Sequence, residues 1–176
     1  MNFFNRVTMR RLFAPRHELS CSWFLWRRLK AKLRERGRRG RRGRRESGAF
    51  LLGHREGGSA RIVSFVLYDD LDPHALDTGI VRFDGRYFSD LWAICKSRGL
   101  TVVADVHVHP DGSGQSNSDR AHPMICQAGH IALILPRFAT GAQPRRNIGI
   151  YRYVGGKQWD TVQPSARRQF FHIGLV

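Results

Sequence analysis

The residues best suited to chemistry lie in one stretch, Asp105 to His122, which reads DVHVHPDGSGQSNSDRAH. His107 and His109 stand two apart near the end of a run, Thr101 to Val108, that predicts a β-strand. Side chains alternate across a strand, so both imidazoles would share one face. Pro110 stops that strand, and Asp111–Gln115 reads as a Gly/Ser loop. Ser116 and Asp119 then stand three apart at a predicted helix start, on neighbouring positions of one turn. Two imidazoles and one carboxylate would make a three-ligand zinc site with an open fourth position. That is the catalytic kind, since a structural site closes with a fourth protein ligand. The same residues have plainer uses. A His-x-His pair arises often by chance, and Ser and Asp at a helix start also make a capping pair. His122 and His130 are further candidate ligands; His122 reads otherwise as an outer partner or a surface residue, and His130, which begins a predicted buried strand, as a satisfied core or strand-end histidine. His17, His54, His74 and His172 stand alone. Cys95 and Cys126 each read as small core residues, with no arrangement for a thiol nucleophile beside them. No Walker-type loop and no Gly-x-Ser-x-Gly elbow is present.

His107-Val108-His109-Pro110 followed by Ser116-Asn117-Ser118-Asp119 resembles the zinc motif of the JAMM (JAB/MPN) metallopeptidases: His-x-His-Pro, a short loop, then Ser-x-x-Asp. That family also has a glutamate just before a hydrophobic Leu-Gly segment, and Glu46-Ser47-Gly48-Ala49-Phe50-Leu51-Leu52-Gly53 is similar to it. The likeness covers about residues 46–154, and the Gly114 to Ala132 stretch is similar to prokaryotic members, which are often associated with ubiquitin-like conjugation. Two departures stand out: Val108 where Ser or Thr is usual, and a six-residue loop, Pro110–Gln115, where seven is familiar. The resemblance implies His107, His109 and Asp119 as Zn2+ ligands, with water in the fourth position. It implies Glu46 as the base that takes the water proton and passes it to the leaving amine, and Ser116 as a donor to the developing oxyanion. The reaction would be hydrolysis of a peptide or isopeptide bond in a ubiquitin-like or sulfur-carrier protein, without a covalent intermediate. Glu46 also has a plainer use, as a charge that offsets the arginines before it. Asp105, two residues before His107 on the same face, would either orient an imidazole or be an ordinary polar residue of the strand end.

These residues need a scaffold, and 176 residues at 41% hydrophobic content suffice for one core. The formal net charge is +16. Residues 1–45 hold 16 Lys/Arg against 2 acids, and residues 46–176 hold 14 against 12, so the basicity belongs to the N-terminal segment. Within it, Arg38 to Arg45 reads RRGRRGRR, whose like charges and glycines predict a solvated loop. Such an arm would suit an acidic partner, nucleic acid or an anionic surface, or would be an insertion with no partner. No aromatic residue interleaves these arginines, so a stacking platform for single strands is missing from the run. No apolar stretch is long enough for a membrane span, and Trp23–Trp26 is too short for a signal-peptide core. Three scattered cysteines argue against a disulfide framework and make a reducing, cytoplasmic setting the expectation.

Periodicity predicts a strand at Met9–Ala14 and a helix from Ser22, as N-cap, to Arg36, closed by Gly37. Strands are predicted at Ala49–Leu52, Arg61–Tyr68, Thr101–Val108, His130–Leu135 and Asn147–Val154, the last pairing with Lys157–Val162 through Gly155-Gly156. Asp69–Pro73 reads as a loop, Tyr87–Arg98 as a helix, and Ser116 to about Gln127 as a short helix constrained by Pro123. The fold class expected is α/β, a mixed central sheet with flanking helices, and the resemblance implies the MPN, cytidine-deaminase-like sandwich. The organisation expected is residues 1–20 as an N-terminal segment, 21–45 as the basic helix and Arg-Gly loop, and 46–176 as the metallopeptidase domain, with the helix at 21–36 packed on it. Two other functions compete: a non-catalytic MPN scaffold that binds a partner, and a nucleic-acid-associated protein whose working part is the basic arm.

Overall fold

The computed structural model describes residues 17–38 and 44–175. Strand β1 (Leu19–Ser22) leads directly into helix α1 (Trp23–Arg38). Strands β2 (Gly48–Glu56) and β3 (Ser59–Leu67) form a hairpin, a single helical turn α2 (Tyr68–Leu71) follows, and helix α3 (Phe88–Arg98) returns the chain to β4 (Thr101–Val108). The five-residue helix α4 (Asn117–Ala121) precedes β5 (Ile131–Leu135), and the hairpin β6 (Gly149–Gly155) and β7 (Gln158–Thr161) comes next. A last turn α5 (Arg167–Phe170) runs into β8 (Phe171–Gly174). All eight strands join one mixed sheet in the order β7-β6-β5-β4-β2-β3-β1-β8. The fold is mixed α/β, as its alternating pattern predicts.

The central strands are covered on both faces, which explains the unbroken Ala49-Phe50-Leu51-Leu52 run in β2. Ala49 and Leu51 point to one core with Trp26, Leu29 and Leu33 of α1. Phe50 and Leu52 point to the other, with Leu91 and Cys95 of α3 and the Tyr68 ring. Helix α1 starts where the Ser22 hydroxyl accepts a hydrogen bond from the Leu25 N–H at 3.3 Å. Helix α3 ends at Gly99, which takes the left-handed conformation at φ 61° and donates back to Cys95 and Lys96.

Several expectations change. Gly37 does not end α1; the helix runs through it to Arg38, and Gly37 is buried. A Cβ there would lie 2.9 Å from the Arg45 carbonyl, so the glycine serves close approach of the returning chain. The helix from Ser116 stops at Ala121 rather than near Gln127, because the residue before Pro123 is disfavoured from helical geometry and His122 leaves it. Asp69–Leu71 is a helical turn rather than loop. Cys126, beyond α4, is exposed and not a core residue, while Cys95 is buried. Strands β1 and β8 have no counterpart in the expectations. They are four residues each and parallel, with Leu19 opposite Ala60 on one side and Phe171 on the other. Met9–Ala14 lies outside the described residues, as does most of the Arg38–Arg45 run.

Candidate metal centre

The site forms at one end of the adjacent strands β2 and β4. Their antiparallel register pairs Gly48 with His107, so the residues just before β2 face those just after β4. Glu46 therefore arrives beside His109. Four hydrogen bonds fix its backbone neighbourhood. Arg45 N–H donates to the Gly37 carbonyl at 2.9 Å and Glu46 N–H to Gly79 at 3.0 Å. The Ser47 hydroxyl donates to the Leu33 carbonyl at 2.8 Å, and Val108 N–H donates to the Ser47 carbonyl at 3.0 Å. His109, past the end of β4, is held by its N–H on the Leu135 carbonyl at 2.9 Å and by Phe138 N–H on its own carbonyl at 2.8 Å.

Asp119 is brought in by a capping box. Its N–H donates to the Ser116 hydroxyl at 3.1 Å, while its own Oδ2 accepts from the Ser116 N–H at 2.6 Å. The preceding Gly/Ser loop is fastened to β6, where the Tyr151 hydroxyl donates to the Ser113 carbonyl at 2.7 Å. Gly149 allows that approach, since a Cβ there would lie 2.1 Å from the same carbonyl oxygen.

These elements converge His107, His109 and Asp119, whose ligand atoms lie within 4.8 Å of one another. The two Nε2 atoms are 3.0 Å apart. Asp119 Oδ1 lies 3.3 Å from His107 Nε2, and its Oδ2 lies 3.2 Å from His109 Nε2. His107 and His109 are buried. Two facing nitrogen lone pairs and a carboxylate repel unless a proton or a metal cation lies among them. Burial resists ionisation of Asp119, but hydrogen bonds and charge from the His107 and His109 rings hold its carboxyl far below the usual carboxylate range. Burial likewise works against a charged His107, yet Asp119 outweighs it, with Asp105 and Glu46 adding to the effect, and raises the ring's pKa. The buried His107 Nδ1 has no hydrogen-bond partner, while Nε2 points into the cluster. Two imidazoles and a carboxylate fit a borderline divalent ion such as zinc.

Glu46 Oε1 stands 3.8 Å from His109 Nε2, and Oε2 accepts from Val81 N–H at 3.4 Å. Burial pushes this carboxyl above its ordinary pKa, against the opposing charges of His109 and His107. Ser116 lies beside the cluster through the capping box. Its hydroxyl oxygen is an acceptor there, which leaves its proton free to donate. A cavity of about 570 Å3 opens from Asp119 and Ser118 and is walled by Arg82, Phe83, Tyr153 and Lys157.

Asp105 does hold an imidazole, but that of His130 rather than of His107 or His109. It is buried, and its carboxylate takes His130 Nε2 at 2.6 Å and the Tyr68 hydroxyl at 3.0 Å. His130 is thus a satisfied core histidine, as its position predicts. Exposed His122 lines the cavity and is not part of the His107–His109–Asp119 group. Tyr68, the Val81 amide and Tyr151 are the participants that sequence patterns do not reveal, because each acts from a distant element.

No family model matches the chain. Over 69 residues it is 33% identical to a Sinorhizobium fredii protein named a probable metalloprotease, a stretch that covers 39% of this chain and 42% of that relative. The chain thus matches less than half the length of that relative, and over that stretch the relationship is metalloprotease-like. Among solved structures it is similar to a solution structure of a Desulfitobacterium hafniense protein, at TM-score 0.60 and 14% identity, covering 88% of this chain and 92% of that one. A Salinibacter ruber protein follows at TM-score 0.53 and 14% identity, covering 82% and 88%. Both share the fold alone. Among the described residues, no helix is long and apolar enough to cross a membrane.

Proposed function

We propose that the chain is a JAMM-type zinc metallopeptidase that hydrolyses a peptide or isopeptide bond at the tail of a ubiquitin-like or sulfur-carrier protein. The observation that carries this is the convergence of His107, His109 and Asp119 with Glu46 Oε1 only 3.8 Å from His109 Nε2. His107, His109 and Asp119 would hold the ion. Zinc bound there supplies a Lewis acid and makes a bound water acidic near neutral pH.

The remaining chemistry belongs to side chains of this chain. Glu46 takes a proton at Oε1 and returns it to the leaving amine, while the Val81 amide steadies Oε2. Its burial makes the carboxylate a stronger base than an exposed glutamate. The Ser116 hydroxyl donates to the substrate carbonyl as negative charge builds on it. The cavity that begins at Asp119 gives room for a short extended peptide between Phe83 and Tyr153. The proposed architecture is the MPN, cytidine-deaminase-like sandwich, with α1 and α3 on opposite faces of the sheet.

The test uses zinc-loaded protein and a panel of ubiquitin-like fusions carrying a C-terminal extension. Glu46→Gln is expected to keep zinc and lose turnover by about a hundredfold or more. Normal turnover in that variant would remove Glu46 from the chemistry. Zinc binding without cleavage of any fusion by the unsubstituted protein would favour a scaffold.

A further inference from the structure

Helix α1 buries Trp26, Leu29, Leu33 and Gly37 and leaves the opposite face outward. On the flank between that face and the buried row, Trp23, Arg27, Lys30, Arg34 and Arg38 recur at spacings of three and four, so they form one stripe along the helix, with Lys30 and Arg34 half-buried in it. The stripe spans about 22 Å at the helical rise of ~1.5 Å per residue. Trp23 is 46% exposed and Phe24 beside it 72%, and their rings meet edge to face at 5.2 Å, so together they make an exposed aromatic patch. The Arg27 guanidinium lies 4.5 Å from the Trp23 ring centroid. Trp23, Phe24, Arg27, Lys30, Ala31 and Arg34 line a shallow groove of about 550 Å3.

Among the described residues, none of Arg27, Lys30 and Arg34 has a carboxylate partner, whereas Lys32 and Arg36 on the other flank are paired with Glu35 and with Asp69 and Asp70. Like charges at these spacings destabilise a helix, so the stripe has a cost that a polyanion would relieve. Partial burial, and then the neighbouring Arg34 and Arg27 charges, lower the Lys30 pKa. The Arg38–Arg45 sequence run lacks aromatics, but α1 sets two beside its arginines, which the folded helix alone makes visible.

We propose that the groove along the exposed flank of α1 binds single-stranded nucleic acid, with phosphates along Arg27, Lys30 and Arg34 and a base against Trp23 and Phe24. A cationic groove with an aromatic platform is how strands are held without sequence preference. Arginine outnumbers lysine on the stripe, and its planar fork suits phosphate. A solvated helix face would need no exposed aromatic pair. An amphipathic membrane anchor would need an apolar face for the bilayer, and α1 spends its apolar face on the core.

The test is fluorescence anisotropy of the full chain with labelled 20-nucleotide oligo-U and oligo-dT across a salt series. Beside it runs co-sedimentation with phosphatidylserine/phosphatidylcholine vesicles. Log affinity is expected to fall linearly with log salt. Replacing Arg27, Lys30 and Arg34 together by Ala should flatten the slope by about 2, at ~0.7 per lost phosphate contact. Trp23→Ala with Phe24→Ala should weaken binding about fivefold or more and leave the slope unchanged. In the unsubstituted protein, tryptophan fluorescence should be quenched on binding, and Trp23→Phe should abolish the change without touching the helix face that packs inward. No oligonucleotide binding, binding of unchanged strength and slope in the triple variant, quenching that survives Trp23→Phe, or vesicle binding in place of oligonucleotide binding would each overturn the proposal.

Discussion

The Asp119 carboxylate performs together two tasks that a sequence presents as alternatives. It closes the capping box with Ser116 and also turns both oxygens to the imidazoles of His107 and His109. The box thus fixes the rotamer that the cluster needs. Below it, Tyr68, Asp105 and His130 form a buried group in which each Asp105 oxygen has one partner. Burial first, and then the Asp105 charge, push the Tyr68 phenol well above its ordinary pKa, so it remains a donor at any working pH. Tyr68→Phe strips one bond from a buried carboxylate. It is expected to lower stability by about 1–3 kcal/mol in urea unfolding. Stability equal to the unsubstituted protein would mean that Asp105 finds another donor.

At the scale of elements, the centre depends on strands that hold loops. Register between β2 and β4 sets Glu46 opposite His109, and β6 carries the loop from His109 to Ser116 through Gly149 and Tyr151. Gly149→Ala drives a methyl into the Ser113 carbonyl and must displace that loop. The expected result is a loss of about 1–3 kcal/mol by thermal unfolding and weaker zinc binding. Tyr151→Phe removes one hydrogen bond to the same carbonyl and should cost only about 1 kcal/mol. If both variants bound zinc like the parent, the loop would not position Asp119. The strands with strong β-branched runs, β3, β4 and β5, were legible from composition because their burial writes itself into residue type. Gly37 misled because a glycine near a helix end has two uses, a left-handed cap or a close approach. Only the returning chain at Arg45 decides between them.

For the whole molecule, the His-x-His and Ser-x-x-Asp spacings made the candidate ligands readable, since a strand period and a helical turn are local rules. What brings those pieces together is long-range. Strands β1 and β8 are four residues each and pair in parallel, with Leu19 opposite Phe171 far along the chain, so neither hairpin signals nor periodicity announce them. The Tyr68–Asp105–His130 group likewise joins three elements. The charge asymmetry was plain in the sequence, but the placing of a basic stripe beside the buried row of α1 is a property of the fold. The measurement that bears most directly on the metallopeptidase assignment is zinc content per chain after purification without added metal, with Asp119→Ala prepared identically. About one zinc in the parent and none in the variant is the expected result. A parent that holds no zinc, even after zinc is supplied, would contradict it, and so would a variant that retains as much as the parent.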